Sequence, residues 1–180
     1  MTDFYDLCQR RQSCRNFSGK PVEHEKLVRC VEAARLAPSG CNSQPWSFVV
    51  AQSPQVVAGL AEASMQLGLN GYMGGPGGAK AFIVLLEEHA VLLPRLRAFL
   101  DSQYFAQGDL GRASAYLCLA AEDQGLGSCI LGLFDREKVC ALLGLPPTRR
   151  VALLVALGYP AGEERRPRVR KPLEELVRFL

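Results

Sequence analysis

The sequence predicts a layered mixed α/β fold in a single domain. Short apolar runs of strand length, notably Phe82 to Leu86 and Val151 to Gly158, alternate with longer stretches whose apolar residues recur at helical spacing. No linker-like segment divides the 180 residues, and that length suits one domain of roughly 100–200 residues. The glycine fingerprint of a Rossmann unit is missing, because Gly125-Leu126-Gly127 follows a helical stretch and precedes a strand, the reverse of the required order.

The elements follow in order. Residues 3–10 read as a short helix entering a basic loop. Pro21 precedes a helix over 23–36, in which Leu27, Cys30, Val31 and Ala34 form an apolar stripe, and Pro38, Ser39 and Gly40 stop it. Residues 38–45 form a polar loop, and Trp46 to Ala51 a strand. Ser53-Pro54 opens a helix over 54–68. Residues 70–78 hold five glycines and a proline, which demands a loop. No Gly-Lys-Ser/Thr follows, so a Walker phosphate loop is excluded and a mobile linker is expected. Phe82 to Leu86 is a buried strand, and Pro94 interrupts a weak helical pattern over 89–108. Asp109 is expected to cap a strong helix reaching about Gln124, with Leu110, Ala113, Leu117, Ala120 and Ala121 on one face and Gly125 and Gly127 at its end. Ser128 to Leu131 is a strand, Asp135 caps a helix ended by Gly144, and Val151 to Gly158 is the most apolar strand. Pro160 to Lys171 is rich in proline and arginine and reads as extended, and residues 173–179 as a helical turn or strand.

Composition excludes several classes. A net charge of +3 is too small to argue for nucleic acid, and the aromatic motifs of RNA-binding modules are absent. No run approaches the roughly 18 apolar residues of a membrane span. The first residues, MTDFYDLCQRRQ, lack an apolar signal core. The seven cysteines (Cys8, Cys14, Cys30, Cys41, Cys118, Cys129, Cys140) are odd in number and include no C-x-x-C, and there are two histidines. Zinc and a disulfide framework are therefore disfavoured, and reduced thiols in the cytoplasm are expected. Cys30 and Cys118 fall within apolar periodic stretches and read as core.

The positive charge is concentrated at the ends. Arg10, Arg11 and Arg15 cluster near the N-terminus; Arg165, Arg166, Arg168, Arg170 and Lys171 cluster near the C-terminus. These are either solvated surface or two ends folded around one anionic group. Arg11-Gln12-Ser13-Cys14-Arg15 brackets a hydroxyl with two guanidiniums, and guanidinium forks suit phosphate. Pro38-Ser39-Gly40-Cys41-Asn42-Ser43-Gln44-Pro45-Trp46 gathers amides, hydroxyls and a ring. Such a loop either reads a polar heterocycle or satisfies its own backbone with Trp46 in the core.

Together the two motifs resemble the nitroreductase family, matching its arginine–serine–arginine/lysine segment and its Pro-Ser-x-x-Asn-x-Gln-Pro-Trp loop. The likeness continues through Asp109-Leu110-Gly111, Leu119-Ala120-Ala121, Gly125 to Gly132, Gly158-Tyr159-Pro160 and Arg168 to Glu175, in the family's order. The resemblance implies an α+β fold of three α-β-α layers around a mostly antiparallel sheet, with FMN at a homodimer interface. It also implies electrons passing from NADH or NADPH to a nitroaromatic, quinone or similar small acceptor by a ping-pong route. By position, Arg11, Gln12, Ser13 and Arg15 would hold the phosphate and ribityl chain, and Arg168 and Arg170 would close from the C-terminal side. Pro38, Ser39, Gly40 and Asn42 would reach the partner subunit's flavin. Ile130, Leu131 and Gly132 would lie along the isoalloxazine, with a backbone N–H near N5. The flavin does the chemistry, so no catalytic side chain and no metal ligand are nominated. Gln12 stands where the family often has arginine or histidine, and Ile130 where it often has tryptophan or proline. A flavin-binding redox sensor without turnover is the alternative. The dimer also has a geometric reason. The Asn42 loop and Arg11 are separated by a predicted helix of roughly 20 Å, and a two-fold partner can supply the loop in trans.

Overall fold

The structure, a computed structural model, describes residues 3–65, 68–96, 101–162 and 166–180. The described strands β1 (Trp46–Ala51), β2 (Ala81–Glu87), β3 (Gly127–Leu131) and β4 (Val151–Gly158) form one sheet of order β1-β2-β4-β3, with every neighbouring pair antiparallel. Helices α2 (His24–Arg35) and α4 (Ser102–Asp123) cover one face. Helices α3 (Pro54–Ser64) and α5 (Arg136–Leu142) cover the other. The result is the expected α+β arrangement of three layers.

Alternation along β2 explains how one strand serves two cores. Ala81, Ile83 and Leu85 meet Leu27, Cys30 and Ala34 of α2 and Leu110, Ala113 and Leu117 of α4. Phe82, Val84 and Leu86 meet Val57, Leu60 and Ala61 of α3 and Val139 and Cys140 of α5. With both faces covered, the strand reads as continuous apolar sequence and every residue in it is buried. Near the end of β2 the register shifts: Leu85 pairs with Leu153 but Leu86 pairs with Val151, which leaves Ala152 as a bulge.

Three expectations are corrected. Asp109 does not cap α4. The helix begins seven residues earlier at Ser102, and the true cap is Asp101, whose side chain accepts the Gln103 N–H at 2.9 Å. Gly108 and Gly111 each weaken helical propensity by about 1 kcal/mol, so the sequence signal fades before the helix does. The glycine-rich stretch is also no linker. Gly71–Met73 form a 3-10 turn, Met73 is buried, and Gly77 O accepts the Phe17 N–H at 2.8 Å. Asn70, in the left-handed region, donates to Ser64 O at 3.0 Å and ties this loop to the end of α3. The expected helix over 54–68 ends at Ser64, and residues 66–67 lie outside the described set.

Leu154 on β4 is fully buried in the α3/α5 core. Leu154→Ala is expected to lower the unfolding free energy by about 2–5 kcal/mol in urea denaturation. A loss under about 1 kcal/mol would contradict the packing described.

Candidate functional site

Helix α1 (Phe4–Arg10) ends where the Arg11 N–H donates to Leu7 O, and the chain leaves it extended. Residues 12–18 then thread along the β3 edge of the sheet. Ser13 makes a parallel bridge to Ser128, the Cys14 N–H donates to Ser128 O at 2.8 Å, and Phe17 bridges Pro160. This approach needs glycine at the start of β3, since a Cβ on Gly127 would sit 2.6 Å from Cys14 Cβ.

The C-terminal tail returns to the same segment. The Arg166 N–H donates to Gln12 Oε1 at 3.2 Å, Arg166 Nη2 donates to Ser13 O at 2.5 Å, and Arg168 Nη2 donates to Arg11 O. Between the two ends lies an open cleft of about 1250 Å³. Arg10, Gln12, Ser13 and Arg15 line one wall, Tyr159 to Gly162 and Arg166 another, and Glu122 with Gly125 to Gly127 the floor. Arg10 Nε is buried at the wall with no hydrogen-bond partner among the described residues. The basic clusters therefore meet at one concavity instead of dispersing over the surface.

Arg11 is half-buried beneath Arg168 but is not in the cleft lining, and the Arg170 guanidinium bonds to Val169 O. The sequence reading placed Arg10 and Arg166 in the basic clusters without nominating them as cofactor residues, and it did not name Asn16; the fold puts all three in the lining. The signal for Arg166 was present: in an extended tail, residues 166, 168 and 170 project to one side.

Ser128 turns its carbonyl toward Cys14, away from β4. By the two-residue period of an antiparallel strand, Ile130 presents its N–H and C=O to that same outer edge. Past the Ser13 bridge no described strand pairs with β3 on this side, and Ile130 is 38% exposed. The Leu131 side chain is buried in the α3/α5 core, which leaves only its backbone for any contact at the edge.

The loop from Pro38 to Gln44 lies elsewhere, and none of Pro38, Ser39, Gly40 and Asn42 lines the cleft. Its backbone is strained: Cys41, Asn42 and Gln44 hold φ of 53°, 52° and 48°. Each non-glycine residue in the left-handed region costs about 1–2 kcal/mol. Opposing this, Ser39 Oγ accepts the Gln44 N–H at 2.9 Å, Ser43 Oγ accepts the Val91 N–H at 2.6 Å, and the Asp109 carboxylate accepts the Gly40 N–H at 3.1 Å. Three such bonds at about 1 kcal/mol apiece offset much of the strain. Trp46, just beyond, is buried in the α2/α4 core.

Neither Cys14, which lines the cleft, nor the core thiols Cys30 and Cys129 are poised as nucleophiles. Burial pushes the Cys14 and Cys129 thiols up, and burial pushes Cys30 up to about 12. Reactive cysteines need the opposite shift. Among the described residues, no group of three or more His, Cys, Asp or Glu gathers as for a metal, and no helix is long and apolar enough to cross a membrane.

Residues 8–159 match the model of the nitroreductase family. The chain belongs to that family. With relatives named NADH dehydrogenase, NAD(P)H nitroreductase and NADPH-dependent oxidoreductase, the protein is an oxidoreductase. It is similar to a protein of Thermus thermophilus named NADH dehydrogenase, 34% identical over 93% of this chain and 91% of the relative. It also resembles a solved nitroreductase family protein from Streptococcus pneumoniae, with a TM-score of 0.82 and 26% identity over 99% of this chain and 100% of the other. The fold is shared with a protein of Exiguobacterium sibiricum described as a nitroreductase and solved in complex with FMN, with a TM-score of 0.83 and 22% identity over 100% of this chain and 98% of that one.

Within this nitroreductase-family chain, Tyr159 at the cleft wall also carries a surface charge network. Its hydroxyl donates to Glu23 Oε2 at 2.7 Å, and Lys20 Nζ lies 4.0 Å from its ring centroid. The tyrosine hydroxyl, with Lys20 as a weaker influence, holds the Glu23 carboxyl down to about 2. Because the folded value lies below the ordinary one, this interaction favours the folded state above the ordinary carboxylate range. The contribution fades as pH falls toward about 2. Tyr159→Phe is expected to return Glu23 toward the ordinary value of about 4.3, read by NMR titration of its side-chain carboxyl carbon. A carboxyl still titrating near 2 in the variant would contradict this cause.

Proposed function

We propose that this chain, as one domain, binds FMN between two copies of itself and carries electrons from NADH or NADPH to a small electrophile. The acceptor class is a nitroaromatic, a quinone or a related compound, and donor and acceptor use the same site in turn by a ping-pong route. The observation that carries the reading is the meeting of Arg15 and Arg166 across one cleft, with the tail fastened there by Arg168. A cluster of guanidiniums beside the unpartnered Arg10 Nε suits a phosphate ester. When bound, the flavin supplies hydride acceptance and donation at its N5.

The chain's own residues do the binding and orienting. Arg11, Gln12, Ser13 and Arg15 hold the phosphate and ribityl chain, and Arg168 and Arg170 close from the tail with Arg166 beside them. Ile130, Leu131 and Gly132 offer backbone along the ring system, which fits the outward N–H of Ile130 and the inward side chain of Leu131. Positive charge nearby favours the anionic reduced cofactor. No side-chain acid is assigned.

The second copy is favoured by the tail. Val169, Leu173, Leu176 and Phe179 are exposed, Phe179 by 89%, and so are Phe4 and Tyr5 of α1. Apolar surface of this kind marks an interaction site. Pro38, Ser39, Gly40 and Asn42 lie outside their own chain's cleft, as residues serving the partner's cofactor would. Seven unpaired thiols favour a reducing compartment, and we assign the cytoplasm.

The test is anaerobic mixing of FMN-loaded protein with each nicotinamide. Bleaching of the yellow colour, then its recovery on adding a quinone, is expected. A bound flavin that neither NADH nor NADPH bleaches would contradict the oxidoreductase reading and favour a flavin-binding protein without turnover. Sedimentation at twice the chain mass of 19.7 kDa is expected, and flavin-bound protein at the single-chain mass would contradict the dimer.

A further inference from the structure

Asp109 is the anomaly of α4. It lies in the helix interior, its side chain is 0% exposed, and it is flanked by the apolar stripe that packs on α2 and the sheet. Aspartate is a poor residue for such a position by helical propensity, and an apolar one would pack there without a charge to neutralise. Its contacts lead to the strained loop. Both carboxylate oxygens face the Gly40 N–H, at 3.3 Å and 3.1 Å, and Arg112, one turn on and half-exposed, pairs with Oδ1. Phe105, one turn earlier, lies under the same glycine, where a Cβ would stand 3.4 Å from its Cδ1. Helix α4 thus presents an aromatic floor and a charged acceptor to Gly40, immediately before the left-handed residues Cys41 and Asn42.

We propose that Asp109, neutralised by Arg112, is a positioning residue that fixes the Pro38–Gln44 loop through the Gly40 N–H, so that the loop is preformed for the partner's cofactor. Of the other two anchors, Ser39 bonds within the loop to the Gln44 N–H, and Ser43 ties it to Val91 in the non-helical segment after β2. Asp109 alone of the three ties it to a helix. A loop held in an unfavourable conformation before the ligand arrives loses less freedom on binding, which tightens binding without adding a contact. The inference rests on the reading of this loop as a cofactor contact.

Asp109→Leu and Asp109→Asn separate the roles. The leucine variant removes charge and acceptor while filling a similar volume, and the Arg112 it leaves unpaired is half-exposed and stays within reach of water. The asparagine variant removes the charge but keeps an oxygen for the Gly40 N–H. FMN affinity is read by quenching of flavin fluorescence, and the bound flavin's visible circular dichroism at saturation, with thermal stability recorded alongside. Asp109→Leu is expected to raise the FMN Kd about tenfold, the worth of one charge-assisted hydrogen bond, and to alter the dichroic band. Asp109→Asn is expected to stay within about threefold of the parent and to restore the band. A folded Asp109→Leu protein with parental Kd and dichroism would overturn the proposal, whatever its thermal stability. Should the leucine variant not fold, Asp109→Asn decides: affinity within the stated range supports the hydrogen bond to Gly40, and a tenfold loss overturns it. A parent protein that binds no FMN would instead refute the cofactor reading beneath it.

Discussion

The arrangement turns on two arginines of the tail gripping the backbone of residues 11–13. Arg166 and Arg168 donate to the carbonyls of Ser13 and Arg11, and the Arg166 N–H reaches the Gln12 side chain. These are contacts between parts of the chain more than 150 residues apart. They bring one set of positive charges beside another, which electrostatics alone opposes. A pre-assembled cluster of like charges suits an anion of opposite sign, and on the proposed reading the cleft between them would receive it.

The rest of the fold serves this junction. The sheet fixes β3 as an edge strand, and Ser128 on that edge holds the segment that follows α1. Glycine at 127 allows the approach, and β4 delivers Tyr159 and Pro160 to the opposite wall. The helices on both faces bury β2 and β4 so fully that the edge strand rests on a rigid centre. The strained loop at the far end of α2 is anchored separately, through α4. On the proposed reading the cleft and this loop are two half-sites, which a second copy would complete.

Much of this was legible in the sequence, for local reasons. Trp46–Ala51 and Val151–Gly158 were bounded correctly because proline or arginine precedes each and the apolar run is strand-sized. Asp135 caps α5 as expected, its side chain accepting the Lys138 N–H. What failed was tertiary. Asp109 carries the residue type of a cap, but its partner is a loop nearly seventy positions earlier, and no local pattern reveals that. The loop over 70–78 looked like a linker because glycine signals freedom, whereas Met73 and Tyr72 anchor it in the α3/α5 core. Of the residues nominated from the motifs, Gln12, Ser13 and Arg15 line the cleft. Arg10 and Arg166 stood in the basic clusters, but their place in the lining appeared only when the two ends were brought together.

The claim that guanidiniums from both ends recognise one phosphate is tested most directly by comparing FMN with riboflavin, which differ only in that group. The ratio of their dissociation constants is measured for the parent protein and for Arg166→Ala and Arg168→Ala. The account predicts that the parent strongly prefers FMN and that each variant loses about tenfold or more of that preference, with riboflavin affinity little changed. A ratio that is the same in all three proteins would contradict it.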